Sequence, residues 1–373
     1  MILTYRLETM ISQRQIDRIQ DHIATTVAAG KFSGSVLITQ GETTLVEESH
    51  GFAHRGFAVP NSAAMRYDVA SITKLFTAVA VLQLVEQGKL ALDDRITSLI
   101  DLSGTAINQD VTLRHLLTHS SGIADDADEE AGEDYELLFT DTPNYRFRQT
   151  ADQLPHFVHK PGVFTPGEDS RYNNAGFLLA GLALEAVSGL TFHDYVRQHV
   201  FERAGMTDAD FLALDEINHN LAEHYKRIED DDGEVTWRKN IYAYPPVGDP
   251  AGGANVTARD LERFLRALQG GELLSAEHTT AMLTPQVKSH DYDDGSECWY
   301  GFATQIDVAA DGTILAWGKD GQNTGVASNA EVLPDLDVAV ILLANIDCNV
   351  WALDREIDRI LRDRTPRSSD AID

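Results

Sequence analysis

In the stretch DVASITKLFTAV, residues 68–79, a serine and a lysine stand three positions apart where polar residues give way to an apolar run. A helix starting at Ser71 sets the serine hydroxyl at a positive dipole end and brings Lys74 round on the same face, within hydrogen-bond reach. A lysine on an otherwise apolar helix loses hydration, which favours the neutral amine that a general base requires. The pair then reads as a nucleophile with its own base. A capping serine followed by a snorkelling lysine has the same spacing, and composition alone yields an S-x-x-K in a chain of this length about half the time.

Two later stretches add reactive side chains. In SRYNNAGFLLAGLALEAVSG, Tyr172 and Asn174 stand just ahead of an amphipathic helix at 174–188. A phenol with an ordinary pKa of about 10 is a proton shuttle when ammonium groups lower that value, and an asparagine orients a lysine or a substrate amide. The plainer alternative is that Asn173 or Asn174 caps the helix while Tyr172 packs beneath it. In AWGKDGQNTGVAS, Lys319 closes a strand and Gly321 follows two residues on. A cation there holds negative charge in a cleft, and the missing side chain at Gly321 lets a substrate approach the backbone. A hairpin turn with a surface lysine has the same appearance. His115 and His119, at i and i+4, have the spacing of a metal pair but no third ligand nearby, and His156 with His159 has none either.

The elements that must position these groups follow from periodicity and punctuation. Residues 12–29 carry Ile16, Ile19, Ile23 and Val27 at helical spacing with Ser12 as a cap, and SGSVLIT and TTLVEESHGFA form a hairpin around Gly41. From Ser71 to Gln87 the chain is apolar on nearly every face, the mark of a helix buried inside the protein. Between about 90 and 250 short helical patterns alternate with polar loops. After a turn and helix at 251–271, WYGFATQIDV, TILAWG, VASNAEVL and LDVAVILLAN are four successive strand candidates. A last amphipathic helix carries Trp351, Leu353, Ile357, Ile360 and Leu361, and the polar stretch RTPRSSDAID after it is expected to be disordered. Strands at both ends with helices between predict an α+β fold: an antiparallel sheet built from both termini and flanked by helices, with a mostly helical insertion. The expected division is a discontinuous sheet domain of residues 1–72 and 250–373 and a helical domain of residues 73–249, with the active site between them.

Bulk properties exclude several classes. A chain of 373 residues with 43% hydrophobic and 24% charged residues has the composition of a folded globular protein. Its net charge of -29 leaves no basic footprint for nucleic acid. Runs such as DDADEEAGEDYE (125–136) and EDDDGE (229–234) read as solvated loops, and the acid excess raises the expectation of a salt-adapted host. The two cysteines, Cys298 and Cys348, have no metal-ligand spacing and give no disulfide framework. No apolar window is long enough for a membrane span, and the opening MILTYRLETMISQRQ lacks the pattern of a signal peptide, so a cytoplasmic location is expected.

Taken in order, Ser-x-x-Lys, Tyr-x-Asn and Lys-x-Gly resemble the serine β-lactamase and penicillin-binding-protein superfamily, closest to its class C-like branch with esterases and D-amino-acid peptidases. The resemblance extends to VTLRHLLTHSSGI, TPGEDSRYNNAGF and PAGGANVTARDLERF, and covers roughly residues 15–350. It implies a β-lactamase/transpeptidase-like fold and a serine hydrolase without cofactor or metal. Ser71 is then the acylated nucleophile, Lys74 its base or base partner and Tyr172 the proton shuttle. Asn174 contacts the substrate amide, Lys319 polarises Tyr172 and meets anionic groups, and the backbone N–H groups of Ser71 and Gln322, next to Gly321, form the oxyanion hole. The implied substrate is a small molecule or peptide containing an ester, amide or D-peptide bond, with β-lactams secondary. Two positions depart from the pattern: Asp320 stands where Thr or Ser is usual, which argues against penicillin-like anions, and Asn173 replaces the commoner Ser. A binding or scaffold protein retaining the fold is the competing expectation, although all the reactive side chains are kept.

Overall fold

A computed structural model describes residues 10–128, 131–133 and 135–363. The RTPRSSDAID stretch and the first nine residues lie outside the described residues, as does part of the acidic run at 125–136.

Ser12 opens helix α1 (Gln13–Ala28) with reciprocal bonds: its hydroxyl accepts from the Gln15 backbone, and the Gln15 side chain accepts from the Ser12 backbone. Strands β1 (Gly34–Gln40) and β2 (Thr43–His50) then form the expected hairpin. Six later strands complete one antiparallel sheet: β3 (Val287–Asp291), β4 (Glu297–Tyr300), β5 (Gln305–Val308), β6 (Ile314–Asn323), β7 (Val326–Leu333) and β8 (Val338–Ala344). Their spatial order is β2-β1-β8-β7-β6-β5-β4-β3. The junction is β1 against β8, with Gly34 opposite Ala344 and Gln40 opposite Val338, so the hairpin near the start docks on the last strand.

Period-two alternation sends the side chains of β1 to two different cores, which is why all seven of its residues are buried. Val36 and Ile38 meet Ile19 and Ile23 of α1 and Leu353 and Ile357 of the last helix on one face. Leu37 faces the other side, where the larger core lies. There α2 (Thr73–Glu86) is the central element, with every residue from Thr73 to Leu84 buried. Its Phe76 meets the rings of Phe201 and Phe264 edge-on at 5.1 and 4.8 Å. Helices α3 (Ala175–Ser188) and α4 (Ala258–Gln269) share this core, and α5 (Val350–Leu361) covers the opposite face beside α1.

The strands differ from expectation in three ways. WYGFATQIDV is two strands, because the chain turns where Gly301 N donates to Thr304 O at 2.9 Å. The polar edge strand β3 and a hairpin of Tyr225–Glu229 with Val235–Lys239 give no clear apolar alternation and were not foreseen. TILAWG continues to Asn323, so Lys319 and Gly321 lie inside β6 and the turn comes only at Thr324–Gly325.

Candidate active site

The turn that carries Ser71 begins where Tyr67–Asp68 pairs with Asn255–Val256. Asp68 Oδ1 accepts from Ala70 N at 2.7 Å, and Ala70 itself takes a φ of 43°, a left-handed conformation that costs a non-glycine residue of order 1 kcal/mol. Residues 70–72 form one tight turn and α2 begins at Thr73, two residues later than the sequence suggested. Ser71 therefore caps nothing, and its hydroxyl faces a cleft.

Lys74 lies one turn along and is fully buried. Its Nζ donates to Ser71 Oγ at 3.0 Å, Asn174 Oδ1 at 2.7 Å and Ala251 O at 2.6 Å. Burial and then the nearby Lys319 charge pull its pKa down to about 7, against the opposing pull of Asp125 and Asp249. The Tyr172 hydroxyl donates to the same Ser71 Oγ at 2.5 Å, and its ring lies 5.0 Å from Lys74 Nζ.

Tyr172 and Asn174 are held by the start of α3. Asn173 Oδ1 accepts from Gly176 N at 2.6 Å, while the Asp125 carboxylate accepts from Asn174 N and from Ala175 N at 2.9 and 2.8 Å. Asn174 is left to bind Lys74 with its oxygen. Burial and neighbouring Asp126 push the Asp125 carboxyl well above the usual carboxylate range, against the amides that hold it. Asp125 escaped sequence reasoning because it opens an acidic run taken as solvent-facing. Asp126 in the same run is only 2% exposed.

The histidines go to separate places. His115 Nδ1 accepts from Thr112 N at 3.3 Å at the start of a short helix. His119 is buried, accepts from Asn173 N at 3.1 Å and packs its ring 4.6 Å from that of Tyr172. Burial holds His119 well below the usual histidine range, so a neutral ring supports the phenol from behind. No group of three His, Cys, Asp or Glu side chains among the described residues could hold a metal ion.

From the sheet, β6 closes the site. Lys319 is 2% exposed, its Nζ 5.1 Å from the centre of the Tyr172 ring and 2.5 Å from Asp320 Oδ1. Trp351 Nε1 donates to the other Asp320 oxygen at 2.9 Å. Although burial opposes it, the Lys319 charge holds the Asp320 carboxyl below its ordinary value. The expected anion-binding lysine thus already carries an internal counter-ion. Gly321 permits a close approach of two backbones. A Cβ there would lie 2.3 Å from Val69 O and 2.9 Å from Ser71 N, so the glycine lets the strand and the Ser71 turn touch. Asp320 N donates toward the β5 side, to Gln305 Oε1 at 3.4 Å, and strand alternation turns Gln322 N the same way. The last β5 partner is Gly318, so among the described residues no strand covers that edge at Gln322. Ser71, Asn174, Gln322, Asp68, Tyr244 and Asp249 are among the residues lining the cleft.

Comparison with known proteins bears on this arrangement. The family model described as Beta-lactamase matches residues 19–362. Penicillin-binding protein 4* of Bacillus subtilis (strain 168) is 26% identical over 78% of this chain, which spans 63% of that relative's length. A crystal structure of a penicillin binding protein from Bacillus halodurans superposes with a TM-score of 0.83 and 38% identity, covering 91% of this chain and 100% of that one. A D-stereospecific amidohydrolase from Streptomyces sp. shares the fold, with a TM-score of 0.74 and 24% identity over 92% and 96% of the two chains.

Proposed function

Because the chain belongs to the beta-lactamase family, we propose that it is a serine hydrolase that forms an acyl-enzyme on Ser71. The observation that carries this reading is the convergence of Lys74 Nζ and Tyr172 OH on Ser71 Oγ, at 3.0 and 2.5 Å. With its pKa lowered to about 7, Lys74 can present a neutral amine near neutral pH and takes the Ser71 proton as Oγ bonds to the acyl carbon. Ser71 N and Gln322 N stabilise the oxyanion. Tyr172 passes a proton to the leaving alcohol or amine as the acyl bond breaks, and recovers one from Lys74. Water then attacks the ester, losing its proton to the same pair, and Ser71 Oγ is re-protonated. Asn174 positions Lys74 through its oxygen and offers its amide N–H to the substrate.

The substrate is an ester, an amide or a D-residue peptide, within a class C-like branch of the family. The Lys319–Asp320 pair argues against substrates that need a free cation for a carboxylate, penicillins included. A panel of p-nitrophenyl butyrate, D-alanine amide and nitrocefin tests this: the ester and amide should turn over at least tenfold faster in kcat/KM than nitrocefin. Ser71→Ala should abolish all turnover, and an active Ser71→Ala enzyme would refute the nucleophile assignment.

A further inference from the structure

Asp68 is more than the brace of the nucleophile turn. It is 5% exposed, yet it lines the cleft into which Ser71 points. One of its oxygens accepts from Ala70 N, and among the described residues no hydrogen bond reaches the other, Oδ2. Its surroundings make a carboxylate costly: burial and the like charge of Asp249 push its carboxyl up to about 6, and only the Ala70 N–H opposes them. Asp249 spends its oxygens on Ala251 N, Gly252 N and the Gln153 side chain, so it offers Asp68 nothing but repulsion. Tyr244 stands nearby, with its hydroxyl bonded to His224. Among the described residues that line this cleft there is no lysine, arginine or histidine. The two lysines of the site are committed elsewhere, Lys74 to Ser71, Asn174 and Ala251, and Lys319 to Asp320.

We infer that Asp68 Oδ2 is the anchor for a positively charged group on the acyl half of the substrate, so that the preferred substrates are ammonium-bearing, aminoacyl-type esters or amides. A nearly buried carboxylate that lines the cleft, with no counter-ion bonded to it among the described residues, is complemented by a cation that arrives with the substrate. The acyl body then lies against Leu212, Leu214, Pro246 and Val247, the apolar part of the same wall. This inference rests on the hydrolase reading above and narrows its substrate class.

The test compares two near-isosteric esters, alanine benzyl ester (a cation) and benzyl isobutyrate (neutral), on the wild type and on Asp68→Asn. The variant keeps an oxygen for Ala70 N and removes the charge. Asp68→Asn should lower the ratio of kcat/KM for the cationic ester to that for the neutral one by at least tenfold. The intrinsic reactivities of the two esters cancel in that comparison. On the wild type alone, 1-phenylethylammonium should inhibit neutral-ester turnover with a Ki at least tenfold below that of 1-phenylethanol, a measurement that stands even where the variant fails to fold. An unchanged ratio, equal Ki values, or an equal loss on both esters, which is what a merely bracing Asp68 would give, overturns the inference and leaves the hydrolase reading intact. Failure of the wild type to hydrolyse either ester overturns both.

Discussion

At the scale of single residues, the site depends on where one proton resides. Lys74 would be an ordinary ammonium in water; a helix buried on every side and the neighbouring charge of Lys319 bring it to about 7. Its pKa is lowered on folding, so the neutral amine appears as pH rises through 7. The value of kcat/KM for a neutral ester should therefore climb about tenfold per pH unit below 7 and level off above it. Lys74→Arg, charged at every accessible pH, should lose at least about 100-fold and flatten that limb. A limb that persists in Lys74→Arg would assign it to another group, such as Asp249, whose carboxyl burial raises to about 6. Asp320 is the second decisive residue. Where a hydroxyl is usual, its carboxylate neutralises Lys319 and holds Trp351, coupling the site floor to α5 on the far face of the sheet.

At the scale of elements, three segments distant in sequence are brought to contact distance, and the contact is backbone against backbone. Gly321 of β6 touches the Val69–Ser71 turn so closely that a methyl group would fall 2.3 Å from a carbonyl oxygen that cannot swing away. Gly321→Ala should therefore separate β6 from the turn and cut kcat at least about 100-fold, a loss of the size produced by removing one oxyanion donor. Circular dichroism should show the same secondary structure; full activity in a folded Gly321→Ala would mean that the strand does not help to form the oxyanion hole. The same elements show what was legible in the sequence. The hairpin around Gly41, the buried α2 and the amphipathic α3 follow from periodicity, and Ser71, Lys74, Tyr172 and Asn174 meet because those elements form where the pattern puts them. What stayed hidden needed three dimensions. Asp125 looks solvated in its acidic run until α3 presents two free amides to it. Lys319 looked like a strand end because Gly318 and Gly321 resemble a turn, whereas pairing with β7 continues to Asn323.

At the scale of the whole molecule, a net charge of -29 surrounds a site whose two lysines are held in a ring of internal partners. Ion pairs such as Arg259–Glu47 and Arg362–Asp358, both at 2.6 Å, use basic residues that the acids outnumber about two to one. The surplus repels itself, and salt shortens the range of that repulsion from about 8 Å at 0.15 M to about 3 Å at 1 M. The melting temperature should rise by several degrees from 0.05 to 1 M KCl, as expected of a salt-adapted protein, and a flat curve would remove that proposal. The central claim is simpler: two amines and a phenol converge near one alcohol to make it a nucleophile. Its most direct test is peptide mass mapping after treatment with a fluorophosphonate probe at pH 7.5. A single adduct on the peptide containing Ser71, absent from Ser71→Ala and slowed in Lys74→Arg, is the predicted result; an unmodified Ser71 in folded protein, or an adduct at another serine, would contradict it.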